Sequence, residues 1–149
     1  MSKIIRCKNY EWSGVERKNY KADNFCYQGV HRFSLLGEGT GEQHLNFQTR
    51  YFEVEAGGYT SLEYHRHPHS VIIIRGYGSM ILGDEVQELS LHDVVFISPE
   101  ILHQFHADKG KPLGFICIVD RYRDKPILPD DQYLEENVKS DEVRKKLKR

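Results

Sequence analysis

Short runs of apolar, β-branched and aromatic residues, typical of strands, follow one another between polar breaks along the chain. They lie at residues 29–36, 44–56, 59–65, 70–76, 78–83, 93–98, 103–107 and 113–120. Turn-forming residues such as GEGTGE, GYG and ADKGKP separate them, which is typical of strands joined by hairpins. Because no strong helical period occurs before residue 130, the pattern predicts an all-β fold, an antiparallel sandwich or barrel.

The last twenty residues have a different pattern, with dense charges and a thin apolar stripe that predicts a short C-terminal helix. The stripe consists of Leu134, Val138, Val143 and Leu147. We interpret the basic end RKKLKR as a solvated helical face. The expected organisation is an N-terminal arm at 1–28, a barrel at 29–127 and a helical tail at 128–149.

The composition suits one soluble domain of 149 residues with a net charge of −1, so no overall field attracts nucleic acid or an acidic membrane. The longest apolar run, residues 71–74, is far too short to span a membrane. The N-terminus also lacks the apolar core of a signal peptide. We therefore expect a cytoplasmic protein that binds neither nucleic acid nor membranes.

The stretch SLEYHRHPHSV, residues 61–71, concentrates three histidines beside a glutamate. On a strand, Glu63, His65, His67 and His69 would point to the same side. If that side is buried, every one of these polar groups needs a partner, and a metal ion would satisfy them together. The alternative is the exposed face of an edge strand, or a single histidine that is hydrogen-bonded in the core.

A later segment contributes a further histidine. His103 follows the turn at Pro99 and begins a new strand, which would bring its ring beside the first histidines. His106 has the opposite phase on that strand. We therefore expect His106 at the surface or in contact with a ligand rather than at the metal.

The spacing of this first cluster resembles the first motif of the cupin superfamily. The matching residues are Gly57, Glu63, His65, His69 and Gly76. Glu63 stands where the motif usually has its first histidine, and His69 stands where it usually has its glutamate. Three imidazoles and one carboxylate are therefore kept, although two positions have exchanged types.

The second cupin motif is looser in this chain. His92 replaces its opening glycine, Glu100 replaces its next glycine, Pro99 is displaced by one position, and Ala107 replaces its closing asparagine. The strand that begins at Asp93, the turn and His103 remain.

The resemblance implies a double-stranded β-helix, or jelly-roll barrel, with a metal bound by Glu63, His65, His69 and His103. His67 is either a competitor for one of these places or a neighbour of a ligand. The implied cofactor is a divalent transition metal, manganese foremost, with iron, nickel, cobalt and zinc open. Cupins commonly form dimers, so we also expect a homodimer.

Residues 29–127 are similar to a narrower group, the bacterial cupins that act on 1-(methylthio)xylulose 5-phosphate in methionine salvage. This resemblance implies an enzyme that transfers the methylthio group to a thiol and leaves 1-deoxyxylulose 5-phosphate. The expected partners are thus a small-molecule substrate, here a sugar phosphate, and a thiol co-substrate.

Such chemistry needs a soft nucleophile. Of the three cysteines, which form no CxxC pair, Cys117 in the strand LGFICIVD is our candidate; the alternative is a small buried core residue. Tyr64 and His67 are candidate proton donors. Arginine grips phosphate with two hydrogen bonds, which makes residues 50, 121 and 123 candidates for the phosphate.

Two other functions remain open. An Fe(II) cupin dioxygenase would use the same ligands and would require iron and oxygen. A non-catalytic metal-binding or ligand-binding cupin would have a closed cavity or a metal whose positions are all filled by protein.

Overall fold

Antiparallel strands are the main regular elements of the structure, a computed structural model that describes residues 2–22 and 24–149. The predicted arm at 1–28 thus includes Met1 and Asp23, which lie outside the described residues. The strands are β1 (Cys7–Lys8), β2 (Glu11–Trp12), β3 (Arg17–Asn19), β4 (Gln28–Leu36), β5 (Phe47–Tyr59), β6 (His69–Arg75), β7 (Gly78–Leu82), β8 (Glu85–Leu89), β9 (Val94–Ile97), β10 (His103–Ala107) and β11 (Leu113–Asp120). The helices are α1 (Asp131–Asn137) and α2 (Asp141–Lys146).

One curled sheet contains all of these strands except the β1–β2 hairpin. Its order is β8-β7-β10-β5-β11-β6-β9, and β4 and β3 continue from β5. Every pairing is antiparallel. This curled, wholly antiparallel sheet confirms the predicted all-β jelly roll.

The long strand β5 shows how the sequence gives the sheet two apolar faces. Phe52 and Val54 point inward and join the main core, whereas Tyr51 points outward. The outer face is covered by the N-terminal segment, where Tyr10 stacks on Tyr51 with ring centroids 6.1 Å apart. Because successive side chains alternate between faces, both faces of β5 are buried near its middle.

The C-terminal tail packs as two short helices rather than one. Each begins at a side-chain cap: Asp130 accepts a hydrogen bond from the Tyr133 N–H, and Ser140 accepts one from the Val143 N–H. The predicted apolar stripe is buried against the outside of the barrel, where it forms a cluster with Leu62, Ile81 and Leu102. Neither helix of the described chain is long and apolar enough to cross a membrane.

The strand predicted at 59–65 is wrong beyond Tyr59. Residues 60–65 cross the end of the barrel, with only single bridges from Glu63 to His103 and from Tyr64 to Ile127. The chain then turns before β6: the N–H groups of residues 66 and 67 bond to the Asp124 carboxylate at 2.9 and 3.0 Å, and Pro68 has no N–H to donate. This segment nevertheless lies where its histidines reach the interior.

Candidate metal centre

Three imidazoles converge inside one end of the barrel. His69 and His103 are the first residues of β6 and β10, and His65 lies in the crossing segment. One nitrogen from each ring lies within 4.8 Å of the others. Separate parts of the sheet therefore bring together three of the four metal ligands that the sequence indicated.

The backbone orients two of these rings. His65 Nδ1 lies 2.7 Å from the His67 carbonyl oxygen, and His103 Nδ1 lies 2.8 Å from the Ile101 carbonyl oxygen. Because a carbonyl can only accept, each Nδ1 carries the proton and each Nε2 is left with a free lone pair. His65 Nε2 is buried and has no hydrogen-bond partner. An orphaned, correctly oriented nitrogen of this kind fits a bound metal ion.

Burial also keeps the imidazoles in the form that binds metals. Desolvation lowers the pKa of His65 and of His69 below the usual range. It lowers the pKa of His103 to about 4. The three rings are therefore neutral at physiological pH, as a metal ligand must be.

Glu63 lies beside this group, but its carboxylate is already engaged. Oε2 accepts hydrogen bonds from Lys21 Nζ and Ser61 Oγ, while Oε1 lies 4.0 Å from His103 Nε2. Burial acts to raise the pKa of Glu63, but the charges of Lys21 and His103 and the hydrogen bonds from Lys21 and Ser61 together hold that pKa below its usual value. One carboxylate oxygen thus remains for the metal, and the role of Glu63 as a ligand stays a prediction.

His67 is a neighbour of the three imidazoles. Its ring stacks on His65 with centroids 3.6 Å apart, and its Nε2 lies 3.0 Å from His69 Nε2. Asp124 fixes the ring through a contact of 2.7 Å to Nδ1. Burial acts to raise the pKa of Asp124, but hydrogen bonds from the Arg66 N–H and from His67 lower it well below its usual value. Asp124 is therefore an anion that orients His67.

Cys117 faces the same interior space. A cavity of about 190 Å³ opens beside the imidazoles. The Cys117 sulfur lies 3.7 Å from His69 Nδ1 and accepts a hydrogen bond of 3.3 Å from Arg50 Nη2. The cavity is lined by Tyr20, Lys21, Arg32, Arg50, Phe52, Thr60, Ser61, Glu63, His65, His67, His69, His103, Phe105, Phe115, Cys117, Arg123 and Pro126.

Other candidates lie away from this cavity. The Tyr64 ring stacks on Tyr133 of α1, with centroids 4.3 Å apart. His106 bonds to Gln104 Oε1 at 3.0 Å, and Arg121 donates to the carbonyl oxygens of Glu42 and Leu45. None of the three is among the described residues that line the cavity.

Sequence reasoning missed Lys21, Arg32 and Asp124. Arg32 had a usable signal, because it shares the inward phase of the buried Val30 on β4. Lys21 lies in an irregular segment, and Asp124 lies in a charged turn. No periodicity marks either of them as inward-facing.

Comparison with known proteins agrees with this geometry. A family described as "Cupin domain" matches residues 50–119, which include all five positions of the first motif and also His103. The curated 1-methylthio-D-xylulose 5-phosphate methylsulfurylase of Rhodospirillum rubrum is 39% identical over 123 residues, which cover 82% of this chain and 76% of that protein. The chain belongs to the cupin family.

Solved cupin structures are similar over nearly the whole chain. The crystal structure of a cupin 2 conserved barrel domain protein from Rhodopseudomonas palustris has a TM-score of 0.82 and 38% identity, covering 91% of this cupin and 92% of that chain. A cupin 2 domain-containing protein from Halorhodospira halophila has a TM-score of 0.78 and 39% identity, covering 97% and 94%. The barrel described above is thus shared with these relatives.

Proposed function

We propose that this cupin is a metal-dependent enzyme that moves the methylthio group of 1-(methylthio)xylulose 5-phosphate to a thiol and leaves 1-deoxyxylulose 5-phosphate. The observation that carries the proposal is the Cys117 thiol in the same cavity as three neutral imidazoles. The relative from Rhodospirillum rubrum, whose name states this substrate, supports the choice.

In the proposed site, His65, His69 and His103 hold a divalent metal through nitrogen, and Glu63 offers its free oxygen. Imidazole and carboxylate suit manganese first, and also iron, nickel, cobalt or zinc. When bound, such an ion supplies Lewis acidity toward the oxygens of a ketose.

Cys117 is the proposed nucleophile. Arg50 donates a hydrogen bond to its sulfur and so sets a positive charge beside it, an environment typical of reactive cysteines. The thiolate attacks the methylthio sulfur, and the electron pair of the broken carbon–sulfur bond stays on the substrate carbon. That carbon then takes a proton, and Cys117 carries the methylthio group as a mixed disulfide.

His67 is the proposed proton donor to the substrate carbon, because Asp124 fixes its ring beside His69. A second thiolate then removes the methylthio group and restores the Cys117 thiolate. Substrate and one thiol thus give the deoxy sugar phosphate and a methyl disulfide, so the atoms balance without an external oxidant. The expected form in solution remains a homodimer.

The test is anaerobic turnover of 1-(methylthio)xylulose 5-phosphate with glutathione by the metal-loaded protein. We expect 1-deoxyxylulose 5-phosphate and the methylthio disulfide of glutathione in equal amounts. Cys117→Ala should abolish both while retaining the metal. The matched controls are Cys7→Ala and Cys26→Ala, whose thiols lie outside the cavity lining and whose loss should leave the rate unchanged.

Without a thiol, intact-protein mass spectrometry should detect one methylthio group on Cys117. Turnover that requires iron and oxygen would instead identify a dioxygenase. No product with any divalent metal would contradict the substrate assignment and leave the barrel as a metal-binding or ligand-binding protein.

A further inference from the structure

Three guanidinium groups line the same cavity as the imidazoles and form what we call the guanidinium wall. Arg32 comes from β4, Arg50 from β5 and Arg123 from the turn after β11, and all three line the cavity. In the sheet register Arg50 is directly opposite Cys117. The Cys117 sulfur contacts both groups, since it lies 3.7 Å from His69 Nδ1 and accepts a hydrogen bond from Arg50 Nη2.

The positive charge of this wall is not balanced inside the cavity. Among the described residues that line it, Glu63 is the one carboxylate, and it is paired with Lys21. The acid nearest to Arg32 is Glu38, which does not line the cavity. Its Oε1 lies 3.9 Å from Arg32 Nη1, and its other oxygen pairs with Lys18. Arg50 and Arg123 consequently share a partly buried space without a carboxylate of their own.

The geometry of the wall also leaves donors available. The Nε atoms of Arg32 and Arg50 are buried and have no hydrogen-bond partner. Arg123 is held by its Nη1, which donates to Gln48 Oε1 at 2.7 Å and to the Asp120 carbonyl oxygen at 3.1 Å. Buried guanidinium donors without partners are costly unless a ligand accepts from them.

Electrostatics indicates the same deficit of negative charge. Burial, and next the positive charge of Arg50, lower the pKa of Arg123 below its usual value. An anion bound between these side chains would offset both effects. A phosphate monoester carries up to two negative charges and several acceptor oxygens, which suit a group of guanidinium forks better than a single carboxylate does.

We propose that Arg32, Arg50 and Arg123 form a binding site for the phosphate monoester of the substrate. This inference rests on the proposed function, in which the substrate is a sugar phosphate. It assigns a binding site to the phosphate end of the substrate, which does not react. The phosphate then anchors the sugar across the cavity while the sulfur-bearing end reaches Cys117 and the imidazoles.

The test is calorimetric titration of the metal-loaded protein with inorganic phosphate and with D-xylulose 5-phosphate. Arg32→Gln and Arg123→Gln should each weaken binding of both probes by about tenfold or more, the effect expected from loss of one charge-assisted contact. Arg17→Gln is the matched control, because Arg17 lies on the adjacent strand β3 and contacts His31 outside the cavity lining. Circular dichroism checks that each variant is folded.

Equal affinities of the wild type, both cavity variants and the control would overturn the site, as would a wild type that binds neither probe at millimolar concentration. A glutathione affinity that falls in the variants while the phosphate affinity is unchanged would also overturn it, because the wall would then bind carboxylates. Phosphate binding that depends on Arg32 and Arg123 in a protein without turnover would support this site and contradict the proposed reaction.

Discussion

The two ends of the barrel interior differ sharply although the same strands build both. On β5 and β11, Val54 faces Leu113 at the apolar end, and both side chains are fully buried in the main core. Two residues further along these strands and on the same face, Phe52 and Phe115 border both the core and the cavity. After another two residues Arg50 faces Cys117, so two steps of the sheet period change the interior from a packed core to a reactive cavity.

The strands β6 and β10 change in the same way. Val71 is fully buried in the core, and two residues before it His69 enters the metal centre. On β10, Phe105 borders both the core and the cavity, and two residues before it His103 enters the metal centre. The comparison suggests that the apolar end supplies the stability, because burial of large apolar side chains contributes most to folding. The polar end instead buries charged groups and an orphaned nitrogen, which oppose folding until a ligand is bound.

Substitutions of Leu113 and Cys117, on one face of β11, should separate these roles most strongly. Leu113→Ala should lower the free energy of unfolding by about 2–5 kcal/mol, with turnover per folded molecule largely kept, because Leu113 is buried in the core and does not line the cavity. Cys117→Ala should lower it by only about 1 kcal/mol but reduce turnover by about a thousandfold or more. Urea denaturation and anaerobic kinetics measure the two effects. Similar losses of stability in both variants would contradict the division.

Acid should destabilise the polar end selectively. The pKa of His103 is about 4 in the folded protein because the ring is buried, whereas an unfolded histidine has a pKa near 6.5. Below about pH 6.5 His103 is protonated in the unfolded chain but not in the folded chain. The free energy of unfolding is therefore unaffected by His103 above about pH 6.5 and decreases as the pH falls toward about 4. For the metal-free protein we expect His103 to account for about 3 kcal/mol of that loss.

His103→Gln should flatten this pH dependence, measured as urea midpoints between pH 4 and 7. The control is Phe105→Leu on the same strand and face, which should lower stability by a similar amount at every pH in that range. An unchanged slope in His103→Gln would show that the ring is not shielded from protons as the structure indicates.

Removal of the Asp124 carboxylate, which holds part of the polar end in place, should have a smaller effect. Asp124→Asn weakens the contacts that fix His67 and the crossing segment. Loss of a residue that orients the groups around a metal typically lowers metal affinity or activity by about 10–100-fold. We expect a decrease of that size in the metal affinity or turnover of Asp124→Asn. Asp120→Asn is a control on the nearby end of β11. Metal titration followed by kinetics would contradict the account if Asp124→Asn behaves like the control.

The smallest effect concerns two backbone positions outside the cavity. His92 and Glu100, at φ 74° and 65°, occupy the left-handed region that favours glycine. These are the two places where the second motif has lost a glycine. His92→Gly and Glu100→Gly should therefore each raise the free energy of unfolding by up to about 1 kcal/mol. Leu91→Gly, at a neighbouring position with ordinary φ, should lower it, and thermal denaturation distinguishes the two outcomes.

The contrast between the ends was partly predictable from the sequence. Alternation along the strands placed the apolar positions, because a period of two fixes the face of each side chain. The clustered histidines and their resemblance to the cupin motif indicated the metal site, whereas His65 itself lies outside any strand. Lys21 was not predictable, since its segment is irregular and carries no period. The stacking of Tyr64 on Tyr133 depends on how the helical tail docks, which is a long-range contact that local pattern does not encode.

The central claim is that the three imidazoles hold one divalent metal at the polar end. Its most direct test is elemental analysis of the protein after saturation with manganese and gel filtration, for the wild type and for the double variant His65→Ala, His103→Ala. We predict one metal per wild-type chain and none in a folded double variant. A double variant that retains a full equivalent, or a wild type that binds none of manganese, iron, nickel, cobalt and zinc, would contradict the claim.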